Sequence, residues 1–173
     1  MASPQKLPTY YIPHGGGPCF YMQQEDGHKW GAPPMWQKMK SWLEGFAKDL
    51  KQRPEALLVI SAHWEEPVAS VLTNPAPPLL YDYYGFPKHT YELTWPAQGS
   101  PELAARARSL LQNAGIESRA DSARGFDHGV FVPLKLTFPK ADIPTIQLSL
   151  RAGLDPAEHL KIGRALAPLR EEG

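Results

Sequence analysis

Two histidines follow short apolar runs of the kind that form buried β-strands. His14 comes after residues 10–13, and His63 comes after residues 57–62. Each run is typical of a strand in a mostly parallel sheet, and ligands of such sheets gather beyond the carboxyl ends of the strands. Because neutral imidazole is the commonest metal ligand, the pattern indicates that His14 and His63 hold one metal ion. The alternative is that each is an ordinary polar side chain at a turn or strand end.

A third histidine, His128, lies between Asp127 and Gly129 in a glycine-flanked phrase. A histidine in the same crevice can donate or accept a proton near pH 7, so we predict a catalytic acid/base role for His128. Asp127 is the neighbour that would hold the tautomer of its ring. The alternative is a helix N-terminus at which Asp127 only caps the backbone.

The run of three glycines over residues 15–17 directly follows His14. Glycines lack side-chain bulk, so a metal or substrate could approach the backbone closely here. The Lys-Ser/Thr pair of a phosphate-binding P-loop does not follow, which argues against that motif. A plain glycine turn beside an incidental histidine is the other interpretation.

Aromatic residues near these histidines are candidates for contacting a flat substrate. Trp64 follows His63 directly and is predicted to form a wall of the pocket. The long loop over residues 73–100 carries Tyr84 and His89, which we predict to bind substrate because loops of this length are often lids or binding loops. Core packing of the aromatic rings and solvent exposure of His89 are the alternatives.

Strand and helix patterns alternate along the chain, which is typical of an α/β fold. Gly115 is a natural left-handed helix cap, and Asp155 suits the start of a final helix. The sequence therefore predicts a single α/β domain over residues 1–173, with a mostly parallel central sheet flanked by helices. The predicted strands are 8–12, 56–61, 68–72, 116–120 and 144–150, and the predicted helices are 34–52, 101–114, 130–138 and one starting at 155.

The composition argues against several classes of partner. Lys plus Arg and Asp plus Glu both number 18, so we expect no basic face for nucleic acid. We expect no membrane partner, because no apolar stretch approaches the roughly 20 residues of a membrane span. The single cysteine, Cys19, excludes an internal disulfide and suits a reducing compartment, so a cytoplasmic location is expected. The sequence leaves a homo-oligomer open.

Six phrases, taken together and in order, resemble a known family. They are Pro13-His14-Gly15-Gly16, Ser61-Ala62-His63-Trp64, Tyr84-Gly85-Phe86-Pro87, Trp95-Pro96-Ala97-Gln98-Gly99-Ser100-Pro101, Gly125-Phe126-Asp127-His128-Gly129 and Ile143-Pro144-Thr145-Ile146-Gln147-Leu148-Ser149. This combination is similar to the class III extradiol ring-cleavage dioxygenases, specifically the DOPA 4,5-dioxygenase branch. The similarity extends over nearly the whole chain.

The resemblance implies an enzyme that opens a catechol with O2 at a non-haem metal centre. His14 and His63 match two metal ligands of the family, and His128 matches an active-site histidine near the substrate. The family supplies a further acid/base histidine and a last metal ligand in phrases that this sequence does not contain. On that ground we expect residues 1–173 to be the N-terminal part of the catalytic domain, incomplete at the C-terminus and inactive by itself.

The metal follows from the chemistry that the resemblance implies. Zinc has no redox chemistry, whereas two histidines and a carboxylate with open positions are typical of non-haem Fe(II) oxygenases. Fe(II) is therefore the predicted cofactor, and Zn(II) is the alternative because some family members are described with zinc. A zinc-dependent hydrolase is the natural alternative function if zinc is the metal. A non-catalytic binding protein of the same fold is a third interpretation.

Overall fold

A computed structural model describes residues 6–26 and 33–173. Its helices are α1 (Pro33–Phe46), α2 (Pro101–Asn113), α3 (His128–Thr137) and α4 (Pro156–Leu166), and its strands are β1 (Leu57–Glu66), β2 (Ala69–Leu72), β3 (Ser118–Asp121) and β4 (Thr145–Arg151). Short 3-10 helices cover Cys19–Tyr21, Gln24–Asp26, Lys88–Glu92 and Ala167–Glu171. None of the helices in these ranges is long and apolar enough to cross a membrane.

The four strands form one sheet in the order β1-β4-β2-β3. The β1–β4 and β2–β3 pairs are parallel, and β2 meets β4 in an antiparallel bridge between Val71 and Leu148. The predicted fold class, a single α/β domain with a mostly parallel sheet flanked by helices, is confirmed.

The first predicted strand, over residues 8–12, is wrong. This segment has no strand pairing, and the Leu7 N–H donates instead to the Arg170 carbonyl. Tyr11 is almost fully exposed, and the Tyr10 ring packs edge-on against Phe46 of α1, with ring centres 4.5 Å apart. The Tyr10 ring therefore packs against a helix rather than in a sheet, where it makes an edge-to-face contact of the kind that aromatic pairs favour.

The predicted end of the second strand is also wrong, because β1 continues through His63 to Glu66. Its pairing with β4 shifts register between Ile60 and Glu65. Such an irregularity bends a strand and changes where its side chains point. His63 therefore lies within an irregular part of β1 rather than beyond its end.

The predicted helix ends agree with the structure at two positions. The Asp155 carboxylate accepts a hydrogen bond from the Ala157 N–H at 2.7 Å and caps α4. Gly115 follows α2 with a φ of 70°, the left-handed conformation that glycine adopts without steric cost. These local signals come from residues adjacent in sequence, so tertiary packing is not needed to interpret them.

Two apolar clusters cover opposite faces of the sheet. The neighbouring residues Val71 and Leu72 of β2 belong to different clusters, because successive side chains of a strand point to opposite faces. The first cluster includes Leu43 of α1 and Phe131 of α3, and the second joins β2 and β4 to α2 and α4. The sheet is thereby held between two helical layers. Helices α1 and α3 lie on the same side of it.

Substitution of a β4 core residue tests this packing. Leu148 is 1% exposed in the second cluster, so Leu148→Ala leaves a cavity and should lower the free energy of unfolding by about 2–5 kcal/mol. Leu160→Ala is the matched control, because Leu160 is 60% exposed on α4 and its loss should cost at most about 0.5 kcal/mol. Urea unfolding measures both changes, and equal costs would contradict the described core.

Candidate metal centre

The structure brings His14, His63 and His128 together. One ring nitrogen of each lies within 4.8 Å of the others, and the Nε2 atoms of His14 and His63 are 3.0 Å apart. The His63 and His128 ring centres are 4.0 Å apart. Three imidazoles from a loop, a strand and a helix start therefore face one small volume.

The His14 side chain is oriented by its own loop. Its Nδ1 donates to the Gly15 carbonyl at 2.7 Å, because a carbonyl only accepts. The neutral ring then has a bare Nε2, which is the nitrogen that faces His63. A hydrogen bond from the second ring nitrogen is the usual way in which a protein orients a metal-binding histidine.

Aromatic rings pack directly against two of the three glycines that follow His14. A Cβ on Gly15 would lie 2.7 Å from the Trp36 ring, and a Cβ on Gly17 would lie 2.7 Å from the Phe86 ring. Gly16 has open space instead. Side chains of the protein therefore occupy the space that a Cβ would take at Gly15 and Gly17, and the predicted close approach of a metal or substrate to the run stays a prediction.

A buried carboxylate, Asp127, connects the element carrying His63 to the start of α3. It accepts hydrogen bonds from the Ser61 hydroxyl at 2.7 Å, from Arg124 at 3.0 Å and from the Gln147 side-chain amide of β4. Ser61 Oγ in turn accepts from the His63 backbone N–H at 3.2 Å. Asp127 therefore fixes the irregular part of β1 next to α3.

Asp127 occupies the N-cap position of α3, but its side chain fills neither of the two roles predicted for it. Its side chain makes no cap hydrogen bond to α3, and the His128 ring bonds to Asp82 instead, through its Nδ1 at 2.7 Å. The same Asp82 oxygen accepts the His128 backbone N–H at 2.9 Å. Sequence reasoning missed Asp82, and the available signal was an acidic residue placed between two tyrosines of a long loop.

Local electrostatics favour the uncharged form of the two proposed ligands. Burial lowers the pKa of His14, and the positive charges that His128 and His63 would carry lower it further. Burial and His128 lower the pKa of His63 in the same way. Metal ions bind the uncharged imidazole, so these shifts favour the ligand form near neutral pH.

Asp82 is held in its charged form by His128. Burial would raise the pKa of this carboxyl, but the hydrogen bonds from the His128 ring and backbone N–H outweigh burial and lower the pKa. An ionised carboxylate has no hydrogen to donate. It therefore requires His128 Nδ1 to be the donor.

The three predicted substrate contacts lie in different environments. Trp64 is 2% exposed, with its indole N–H donating to Glu66 at 3.0 Å and Arg124 stacked 4.6 Å above its ring. Tyr84 is 91% exposed in the 73–100 loop. His89 is bonded through Nε2 to the Tyr21 carbonyl at 3.1 Å. The Trp64 ring thus lies in the core, whereas Tyr84 is free to contact a ligand.

The spacing of the histidine pair fits a metal ion. Two metal–nitrogen bonds of about 2.0–2.1 Å separate their nitrogens by about 2.9 Å at a right angle and by about 3.3 Å at the tetrahedral angle. The observed 3.0 Å between His14 and His63 Nε2 lies within this range. Within the described ranges, the group that could hold the ion consists of these two residues and His128.

The fold and the cluster of three imidazoles together define an α/β protein with a candidate metal centre. Residues 8–173 match the family described as the catalytic LigB subunit of aromatic ring-opening dioxygenase. The match covers nearly the whole sequence, so this chain belongs to that family. The resemblance seen in the sequence phrases is confirmed.

Individual relatives give the same result. The 4,5-DOPA dioxygenase extradiol of Beta vulgaris is 43% identical over 95% of this chain and 58% of its own length. The dioxygenase tasH of Hapsidospora irregularis is 42% identical over 95% of this chain and 50% of its own length. A crystal structure of an uncharacterized protein from Escherichia coli K12 has a TM-score of 0.63 and 37% identity, over 78% of this chain and 49% of that one. The chain spans about half the length of these relatives.

Substitution of Gly129, at the start of α3, tests how closely the site is packed. A Cβ on Gly129 would lie 2.7 Å from both His63 Cδ2 and Ser61 Oγ, so Gly129→Ala should displace His63. We expect Zn²⁺ affinity of the metal-free protein to fall about tenfold or more, measured by isothermal titration calorimetry. Alanine favours helix over glycine, so helix loss would not explain the change.

The control for that substitution is Gly16→Ala, which adds a methyl group where nothing lies within 4 Å. It should leave the Zn²⁺ affinity unchanged. Equal affinities in the two variants would show that contact between Gly129 and His63 does not determine metal binding.

Proposed function

We propose that the protein is an extradiol ring-cleavage dioxygenase that opens a catechol such as DOPA with O2. The observation that carries this proposal is the His14–His63 pair, whose Nε2 atoms are 3.0 Å apart beside the buried His128. Family membership and the relatives described as 4,5-DOPA dioxygenases support the same reaction class and substrate. They favour it over the zinc hydrolase and the non-catalytic binding protein.

We propose Fe(II) as the metal and His14 and His63 as two of its ligands. When bound, Fe(II) supplies the redox chemistry that dioxygen activation needs and Zn(II) lacks. His14 contributes a bare Nε2, because its Nδ1 hydrogen is bonded to the Gly15 carbonyl. Buried Asp127 holds the β1 segment that carries His63, through Ser61. The protein thereby orients both imidazoles before a metal binds.

His128 is the proposed acid/base group. Its Nδ1 donates to Asp82, which leaves Nε2 as the ring atom able to take a proton from a catechol hydroxyl. The ring lies in a mostly closed environment, since His128 is 7% exposed and the Tyr83 ring meets it edge-on with centres 5.8 Å apart. Restricted access of water protects a proton transfer at this atom.

Three further residues complete the proposal. Tyr84 and His89 belong to the 73–100 loop and are proposed to contact the substrate, together with Trp64, whose ring lies in the core. A cytoplasmic location and a homo-oligomer remain sequence-based expectations. The substrate and O2 are the proposed small-molecule partners.

Oxygen uptake with DOPA tests the proposed reaction. The full-length protein, reconstituted anaerobically with Fe(II), should consume O2 and form a yellow semialdehyde, whereas the Zn(II) form should not. His14→Ala and His63→Ala should abolish both iron binding and turnover. His159→Ala is the matched control, because His159 bonds to the Arg151 backbone N–H and the Asp155 carbonyl at α4. Full activity with zinc alone, or no cleavage of any catechol, would refute the proposal.

Replacement of His128 separates its role from metal binding. His128→Ala should lower kcat by roughly 10²–10⁴-fold, the usual effect of losing acid/base assistance. Iron content, measured by atomic absorption, should stay at the wild-type value because His128 is not a proposed ligand. Iron loss in proportion to activity would instead make His128 a third ligand.

A further inference from the structure

One carboxylate oxygen connects the aromatic loop to the proposed acid/base histidine. Asp82 Oδ1 accepts two hydrogen bonds from His128, one from the backbone N–H at 2.9 Å and one from ring Nδ1 at 2.7 Å. The first bond satisfies an N–H at the start of α3, where helix N–H groups lack partners and negative charge is favoured. Asp82 therefore caps the helix and holds the ring at the same time.

The other nearby carboxylate is already committed elsewhere. Asp127 adjoins His128 in sequence but accepts from Ser61, Arg124 and Gln147. Its contacts stabilise the β1 segment and leave the His128 ring to Asp82. Among the described residues, Asp82 is the carboxylate bonded to this ring.

The position of Asp82 is fixed on both sides along the chain. The Tyr81 hydroxyl donates to the Leu93 carbonyl at 2.5 Å, and the Tyr83 hydroxyl donates to the Thr90 carbonyl at 2.5 Å. Both tyrosine rings also pack on Phe131 of α3, with ring centres 5.6 and 6.4 Å away. The carboxylate is therefore held against the start of α3 before any ligand binds.

We infer that Asp82 is a positioning residue that keeps His128 in the tautomer with hydrogen on Nδ1 and a bare Nε2. The inference rests on the proposed function, in which that bare Nε2 accepts a proton from the catechol. A carboxylate without hydrogen only accepts, so the short contact to Nδ1 requires the hydrogen to lie there. An imidazole without this partner could carry its hydrogen on either nitrogen, and the Nε2–H form is unable to act as the base.

Nitrogen NMR tests the tautomer without any turnover. Histidine is labelled with ¹⁵N in the metal-free full-length protein, and His128→Gln assigns the ring resonances. We expect the wild-type ring to bear hydrogen on Nδ1. In Asp82→Ala we expect the His128 hydrogen to be distributed between Nδ1 and Nε2. A wild-type His128 with hydrogen on Nε2 would overturn the inference.

A neutral variant separates the acceptor oxygen of Asp82 from its negative charge. Asp82→Asn keeps an oxygen acceptor, and the His128 backbone N–H orients that oxygen toward the ring. Asp82→Asn should therefore retain the wild-type tautomer. If Asp82→Ala does not fold, the wild-type and Asp82→Asn spectra still decide the question.

Kinetics of the iron-loaded full-length protein give the second measurement. Asp82→Ala should lower kcat by about 10- to 100-fold with little change in KM, and Asp82→Asn should recover part of that loss. Asp142→Ala is the matched control, because Asp142 pairs with Arg53 on the surface. An Asp82→Ala kcat equal to that of this control would overturn the inference. If no protein cleaves catechol, the proposed function fails and the NMR result alone decides the role of Asp82.

Discussion

The site depends on the hydrogen bonds that the buried Asp127 carboxylate accepts. This carboxylate is fully buried, and a buried charge is tolerated only when donors surround it. Its donors come from β1, β4 and the segment before α3, in Ser61, Gln147 and Arg124. Satisfying one charge therefore brings together the strand that carries His63 and the helix that begins with His128. Loss of any one donor would leave that charge partly unpaired.

His14 reaches the same place by a different constraint, which is the packing of aromatic rings on glycine. Trp36 of α1 lies against Gly15, and Phe86 of the 73–100 loop lies against Gly17. A side chain at either glycine would occupy the volume of a ring. The loop that carries His14 is thus held between a helix and the aromatic loop, although it belongs to no strand. The aromatic packing on these glycines and the hydrogen bonds of the Asp127 carboxylate together bring the three imidazoles to one place.

The sequence predicted most elements, because their signals are local. The cap at Asp155, the left-handed Gly115 and the apolar runs of β1, β2 and β4 involve neighbours along the chain. The prediction failed at residues 8–12, where an apolar run packs on α1. It also failed at the end of β1, where the register shift depends on pairing with a strand about 90 residues away. Local patterns do not carry that information.

The sequence by itself determined which residues are candidates for the proposed chemistry: His14, His63 and His128, each beside glycine or at an apolar run, in phrases that identify the family. Only the tertiary structure decided which side chains orient them. Sequence adjacency favoured Asp127 as the partner of His128, whereas the structure gives that role to Asp82, 46 residues earlier in the chain. The physical reason is that a hydrogen bond needs a donor and an acceptor about 3 Å apart in a suitable direction. Consecutive side chains often point apart, and folding alone brings distant ones within that reach.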